Sequence, residues 1–236
     1  LAYVVLAFRS LPELRVRVAD LSYATFKECS SFSTMAFLNA IAYQMTNVTD
    51  SVVIGFTMGT DKIVPYYIAL RLTQFIKQPI DKVAQICMPT AGALSGQTER
   101  HKLQKLVLRA YGMVLLLSAG MFLGAWFFGG AVIHAWMGEG YAESHHILVI
   151  LLAAQTVALP CGVLRAFLFG MGSVRAPAVL YLIEAVCNLG LSLILVRFWG
   201  LSGVAWGTLI PVAALELGLL LPMALHRLQI SFARLW

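Results

Sequence analysis

The sequence predicts an all-α polytopic membrane protein built as a six-transmembrane-helix up-down bundle. Hydrophobic residues fill 60% of the 236 positions and charged residues only 12%, and the mean hydropathy is +0.81. A soluble domain averages about 45–50% apolar and about 25% charged residues. The surplus apolar surface therefore requires lipid as its solvent. Six apolar segments and an uneven distribution of Lys and Arg between the joints complete the prediction.

Each of the six apolar segments is long enough to span a bilayer. A hydrocarbon core of about 30 Å needs roughly 20 helical residues. Because hydrocarbon offers no water to the backbone, each span must be helical. The predicted spans are 32–58, 63–88, 106–128, 146–169, 176–196 and 203–225.

The residues outside these spans predict the remaining organisation. Residues 1–8, LAYVVLAF, are apolar but too short to span, so we interpret them as the cut end of a preceding transmembrane helix. Residues 9–31 are predicted to be a cytoplasmic linker, 32–225 the six-helix transmembrane unit and 226–236 a cytoplasmic tail.

The basic residues predict the orientation. Alternate joints hold ten Lys and Arg residues on one side and only Lys62 and Arg197 on the other. The positive-inside rule places the larger set, and with it both chain ends, in the cytoplasm. The net charge of +6 is spread over separate joints and does not predict nucleic-acid binding. The ten residues are Arg9, Arg15, Arg17, Lys27, Arg100, Lys102, Lys105, Arg175, Arg227 and Arg234.

The second span carries a stripe of polar residues that predicts a water-filled cavity with a cationic wall. At about 100° per residue, six of them fall within an arc of about 100°, and Lys77 lies at its edge. Charges inside a bilayer are costly and persist where they face protein or water. The alternative is that Asp81 pairs with Lys77 or Lys82 and neighbouring helices satisfy the rest. The six are Arg71, Gln74, Gln78, Asp81, Lys82 and Gln85.

Two other spans carry weaker stripes. In the first, Asn39, Tyr43, Thr46, Asp50 and Thr57 lie within about 60°, with Asn47 at the margin. We expect Asp50 to pair with Arg71, the alternatives being a coupling residue or a satisfied buried acid. The fifth span carries Pro177, Tyr181, Glu184, Asn188 and Ser192, which suit either interhelical hydrogen bonds or cavity lining. Arg165 and Glu216 are intramembrane charges for which the sequence indicates no partner.

The sequence does not predict an enzyme or a metal cofactor. Three histidines lie near Glu139 and Glu143 without a HExxH-type pattern, so a solvated outer joint is the preferred interpretation. No nucleophile elbow, phosphate-cradling glycine loop or paired-carboxylate motif occurs. The three histidines are His134, His145 and His146.

Two stretches resemble a known family. The segment TDSVVIGFTMGTDKIVPYYIALRLTQ at 49–74, continued by QPIDKVAQICMPTAGALSG at 78–96, resembles the Asp–x–x–x–Ile–Gly helix, outer turn and Tyr–x–x–Ala–x–Arg–Leu helix of polysaccharide-export flippases. EAVCNLGLSLILVRFWGLSGVAWGTLI at 184–210 is similar to the family's Asn-containing helix, Gly–Leu–x–Gly–Val–Ala turn and following span. The family belongs to the multidrug/oligosaccharidyl-lipid/polysaccharide exporter superfamily.

The resemblance implies a transporter of 12–14 helices in two lobes, of which this chain would be the second. A missing N-terminal lobe of the same protein would complete it in the bacterial inner membrane. Its implied cargo is a polyprenyl-pyrophosphate-linked oligosaccharide, flipped by alternating access for surface polysaccharides such as lipopolysaccharide, with a possible polymerase or export complex as partner. Arg71 matches the family's Arg directly, and Lys77 and Lys82 extend that match on the helical wheel.

The remaining residues have implied roles as well. Polar side chains, among them Asn39, Tyr43, Asn47, Gln74 and Gln78, would face sugar hydroxyls beside Asp81. Coupling by a proton or a sodium ion, at Asp50 or Glu184, stays open.

Three alternative functions are also consistent with parts of the sequence. A lipid II flippase is a close alternative that this half-sequence does not separate. A multidrug and toxin extrusion cation antiporter of the same superfamily would favour acidic residues in the cavity, whereas the stripe of the second span is net basic. A non-transporting membrane scaffold would not need a polar stripe along a whole helix.

Overall fold

The computed structural model describes residues 22–94 and 100–231, and every regular element in these ranges is helical. The predicted cut helix at 1–8, residues 9–21 of the predicted linker and residues 232–236 of the predicted tail lie outside the described residues, but the end of the predicted linker is helical. In chain order the elements are α1 (Tyr23–Met58), a 3₁₀ turn (Thr60–Lys62), α2 (Ile63–Ala93), α3 (Arg100–Met137), α4 (Ala142–Gly170), α5 (Arg175–Val212), a π-helical segment (Ala213–Leu220) and α6 (Leu221–Leu228).

The chain forms two compact units, Leu1–Thr34 and Met35–Trp236. The described part of the first unit is the beginning of α1, where the Thr34 hydroxyl donates a 2.8 Å hydrogen bond to the carbonyl of Ser30. The second unit holds the rest of α1 and all later helices.

Within the described ranges, three helical stretches are long and apolar enough to cross a membrane. They are Arg100–Met137, Ala142–Gly170 and the 54 residues of Arg175–Leu228. A straight helix of that last length would measure about 80 Å, far more than a bilayer core. The helices α1 and α2 have 36 and 31 residues, which suffices to span, but their polar stripes lower their hydropathy.

The long third stretch folds back on itself at Gly200. Gly200 has φ 56° and ψ −136°, inside what is otherwise a helix, a conformation that costs glycine little. Beyond the turn, the Cα of Gly203 lies against the carbonyl of Leu195 and that of Gly207 against Ser192, with no room for a side chain. This hairpin supplies the fifth and sixth spans, and the predicted fold class is confirmed.

The sixth span changes helix type where its polar residue sits. Over Ala213–Leu220 the hydrogen bonds are of the π type, and the N–H of Leu221 donates to the carbonyl of Glu216, five residues back. Pro211 and Pro222 flank the segment, and each lacks the N–H that an α-helix requires. Single π turns occur frequently at functional sites, and this one carries Glu216.

Helix α4 is the central helix, because α2, α3, α5, the π-helical segment and α6 all pack against it. It contributes to both large apolar clusters. One cluster joins α4 to α2, α3 and α6, and includes Phe167 and Leu164, both fully buried. The other joins α4 to α1, α2 and α5, and includes Ile147 and Tyr66. The two clusters fix the bundle at its two ends.

The outer face of α3 is suited to lipid. Leu116 is 76% exposed and Phe127 72% exposed, which in water would be unfavourable but in a bilayer is required. Gly120 and Gly124 are spaced as a helix-packing GxxxG motif, yet a methyl group added to either would meet no heavy atom within 4 Å. The close approach of α3 occurs instead at Gly129, against the ring of His145.

Candidate functional site

An open cavity of about 290 Å³ lies among α1, α2, α4, α5 and the π-helical segment. Most of its polar lining comes from the halves of these helices that adjoin the basic joints, and Gln155 and Thr208 come from the opposite halves. The polar and charged lining residues are Asn39, Tyr43, Thr46, Lys77, Asp81, Gln85, Gln155, Arg165, Tyr181, Glu184, Thr208 and Glu216.

The polar stripe of α2 is divided between the cavity and the lobe surface. Lys77, at the edge of the predicted arc, points into the cavity with its ammonium 5.2 Å from the ring centre of Tyr43, and Asp81 lies one turn further on. Within the described chain, Asp81 forms no ion pair with Lys77 or Lys82. The interpretation that such a pair satisfies the stripe is therefore wrong.

Four other members of the stripe, Arg71, Gln74, Gln78 and Lys82, lie outside this cavity. Arg71 is exposed, with its guanidinium 5.3 Å from the ring centre of Tyr67 and 3.4 Å from Oε1 of Gln74. Lys82 is exposed and donates a 3.1 Å hydrogen bond to Gln85. Gln78 is also exposed and Gln74 half-buried. A continuous cationic wall does not face this cavity, because an arc of about 100° is wider than the face of α2 that the cavity reaches.

Asp50 is buried in a hydrogen-bonded network and lies outside the cavity lining. Its Oδ2 accepts hydrogen bonds from the hydroxyl of Tyr66 at 2.6 Å and from that of Thr208 at 3.3 Å. The amide of Asn188 donates to Thr208 at 2.8 Å. Oδ1 of Asp50 and Oδ1 of Asn188 have no hydrogen-bond partner among the described residues. The network joins α1, α2 and both arms of the α5 hairpin.

The expected pairing of Asp50 with Arg71 is wrong. The Tyr66 hydroxyl donates a hydrogen bond to the Asp50 carboxylate, and Arg71 follows Tyr66 by five residues on the same helix. Five residues rotate the side chain by about 140° relative to Tyr66, so Arg71 points to a different side of α2. The Asn47 amide bonds within its own helix, to the carbonyl of Tyr43 at 2.7 Å.

The stripe of the fifth span serves both of the predicted purposes. Tyr181 and Glu184 line the cavity, and Glu184 is only 3% exposed. One and two turns further, Asn188 and Ser192 are buried against the returning arm of the hairpin, where the Ser192 hydroxyl donates to the carbonyl of Val204.

The structure adds two cavity residues for which the sequence indicated no partner. The guanidinium of Arg165 on α4 forms an ion pair with the carboxylate of Glu216 in the π-helical segment. The same guanidinium stacks 4.1 Å above the ring centre of Tyr181. Their position along the membrane normal could have indicated that they meet, because both residues lie in the halves of their spans nearest the basic joints.

The charges of the cavity lining differ from the net-basic prediction. Among the described residues, two cations line it, Lys77 and Arg165, against three carboxyl groups, Asp81, Glu184 and Glu216. The basic excess of the α2 stripe therefore does not by itself exclude a cationic cargo.

Comparison with known proteins identifies the family. A family model described as polysaccharide biosynthesis protein matches residues 2–146, more than half of the chain. The chain belongs to this family. No curated protein matches the sequence significantly.

Solved structures show the fold of the chain. It is similar to a MATE in the bent conformation, with a TM-score of 0.79 and 18% identity over 92% of this chain and 49% of that one. It is also similar to an outward-facing multidrug resistance MATE family transporter of the MOP superfamily, with a TM-score of 0.77, 18% identity and the same coverage. The chain thus spans about half the length of the structures it matches, as a multi-pass membrane protein with the fold of one transporter lobe.

Proposed function

We propose that the full-length protein is a flippase that moves polyprenyl-pyrophosphate-linked oligosaccharide across the bacterial inner membrane by alternating access. In this proposal both ends of the chain are cytoplasmic. The cavity, which lies in the half of the bundle nearest the basic joints, then opens to the cytoplasmic side, where such a cargo would be loaded. The N-terminal lobe of the same protein would form the opposite wall.

The observation that carries the proposal is the lining of the cavity, taken together with membership of the polysaccharide biosynthesis family. Amides and hydroxyls of Asn39, Tyr43, Gln85 and Gln155 surround the space, and such groups hydrogen-bond to sugar hydroxyls. Lys77 stands among them as a point charge suited to phosphate. The cavity thus combines groups for both parts of the cargo.

The stripe residues outside the cavity receive a separate role in the proposal. Arg71, Gln74, Gln78 and Lys82 lie on the surface of α2, on the same helix as Lys77. We assign them to the path along which the cargo meets the second lobe. Asn47 borders Tyr43 and belongs to the same path.

The coupling residue proposed outside the cavity is Asp50. Its Oδ1 and the Oδ1 of Asn188 are buried oxygens with no donor among the described residues, and an unsatisfied buried oxygen is costly. A sodium ion or a proton would satisfy them. Transport by proteoliposomes with and without a sodium gradient distinguishes the two ions.

The test is deletion of the full-length gene in its host, with extraction of lipid-linked sugars and staining of surface polysaccharide. We expect lipid-linked repeat units to accumulate and surface polymer to be lost. Complementation with Lys77→Gln should restore less than about a tenth of export if the cation contributes a charged hydrogen bond to phosphate. Lys62→Gln, an exposed residue of the 3₁₀ turn, is the matched control and should export normally. Normal polysaccharide in the deletion strain contradicts the proposal.

A second candidate is a cation antiporter, favoured by the excess of carboxyl groups in the cavity lining. In that case the deletion leaves polysaccharide unchanged and raises sensitivity to cationic dyes. A lipid II flippase would instead show accumulation of peptidoglycan precursor.

A further inference from the structure

Four side chains from three elements meet at one end of the cavity: Arg165, Tyr181, Glu184 and Glu216. Arg165 pairs with Glu216 and stacks on Tyr181. Glu184 follows Tyr181 by three residues, so it lies one turn away on the same face of α5. The carboxyl groups of Glu184 and Glu216 line the same cavity. Glu216 is 1% exposed and Glu184 3% exposed.

Two buried polar atoms of this cluster lack a hydrogen bond. Oε2 of Glu216 and Nε of Arg165 are buried without a hydrogen-bond partner among the described residues. The other carboxyl group of this cluster belongs to Glu184, which is buried and also lines the cavity. A carboxylate donates nothing, but a protonated carboxyl does. One proton between Glu184 and Glu216 would therefore supply the missing donor.

The charges of the cavity lining also favour one proton on the Glu184–Glu216 pair. The two cations and three carboxyl groups of the lining leave one negative charge in excess when all are ionised. Two carboxylates that share a buried site rarely ionise together. The titratable and charged groups that face the Glu184–Glu216 pair are Tyr43 from α1, Lys77 and Asp81 from α2, Cys161 and Arg165 from α4, and Tyr181 from α5.

We propose that Arg165 is a diphosphate-binding residue of the cavity, that Glu216 holds it when the cavity is empty, and that a proton taken up by the Glu184–Glu216 pair releases it to the cargo. This inference rests on the proposed function and deepens it. A guanidinium binds phosphate through a planar fork of donors, and Nε is already free. Leaving Glu216 ionised, buried and unpaired would oppose that transfer, and protonation removes the opposition.

The linkage is reciprocal. A proton on the pair strengthens diphosphate binding, and bound diphosphate strengthens proton binding by the same factor. Cargo and proton therefore bind together and leave together. The positions of Glu184 and Tyr181 on one arm of the hairpin, and of Glu216 on the other, connect this exchange to the packing of that hairpin.

The experiment measures binding of farnesyl-diphosphate N-acetylglucosamine to the purified full-length protein by calorimetry. Each phosphate of this probe carries one ester and one anhydride linkage and therefore a single, strongly acidic hydroxyl, so its charge stays fixed over the pH range used. Titrations at roughly pH 6 and roughly pH 8, each in two buffers of different ionisation enthalpy, count the protons taken up. We expect binding at least about threefold tighter at the lower pH, with net proton uptake at the higher one.

Variants locate the effect. Glu216→Gln should bind the probe with an affinity independent of pH and with no proton uptake, and Glu184→Gln should reduce the uptake. Glu139→Gln, whose side chain is 93% exposed, should behave as the native protein. Arg165→Gln should lose most of the affinity at both pH values.

The outcomes separate the two proposals. A native protein that binds the probe equally at both pH values, without proton uptake, overturns the linkage and leaves the flippase proposal standing, and this result needs no variant to fold. Proton uptake that persists unchanged in both Glu variants also overturns it. A native protein that does not bind the probe at either pH overturns the proposed function and, with it, the role of Arg165.

Discussion

Arg165→Met tests how much the loss of one partner of the buried Arg165–Glu216 ion pair lowers the stability of the lobe. The side chains of Arg165 and Glu216 are only 14% and 2% exposed. Removing one partner from a buried pair leaves an uncompensated charge and costs about 3–5 kcal/mol. Replacing both partners by apolar residues of similar volume is often neutral or stabilising by about 1–4 kcal/mol. We therefore expect a large loss for the single variant and recovery in Arg165→Met/Glu216→Met.

The free energies of unfolding of the native protein and of these variants are measured by titrating the protein in mixed micelles with SDS. Arg197→Met removes an exposed arginine and should change stability by no more than about 0.5 kcal/mol. A loss under about 1 kcal/mol for Arg165→Met would show that the pair behaves as a surface pair, which is worth only about that much. A double variant as unstable as the single one would likewise contradict a buried pair.

Two further predictions concern the hairpin and the Asp50 network. Gly207→Val should destabilise the lobe by about 1–3 kcal/mol through overpacking against Ser192, while Gly190→Val, at a position with open space, should retain a monodisperse size-exclusion peak and its melting temperature. Tyr66→Phe should cost about 1.5–3 kcal/mol because it removes a hydrogen bond to a carboxylate. Tyr67→Phe, at a 44%-exposed neighbour, should be close to neutral in the same unfolding titration, and equal effects of the two would contradict the network.

The membrane fold followed from local properties of the sequence. Span length and apolar content are set by the hydrocarbon thickness, and backbone hydrogen bonding in lipid permits only helices here. The joint around Gly200 was predicted as a break because it combines polar and glycine residues between two apolar runs. The structure places the turn of the hairpin there.

Glycine spacing was a poorer guide. The GxxxG pair at Gly120 and Gly124 faces open space in the described lobe, whereas Gly203 and Gly207, whose identical spacing is common by chance, form the closest approach in the hairpin. The spacing places two glycines on one face of a helix, but whether another backbone crosses that face depends on the neighbour. Here the neighbour is the preceding arm, brought back by the turn at Gly200.

Apolar spans and polar stripes in the sequence predict a helical membrane bundle, the positions of its spans, and the helices that carry polar faces. The partners of the polar side chains follow from the packing of the helices: Thr208 for Asp50 across 158 positions of chain, Glu216 for Arg165 across 51, and the cavity for Lys77 but not for Arg71. Helical periodicity fixes only the angle of a side chain about the axis of its own helix. The angle at which a neighbouring helix presents its partner is set by long-range packing, which no local pattern encodes.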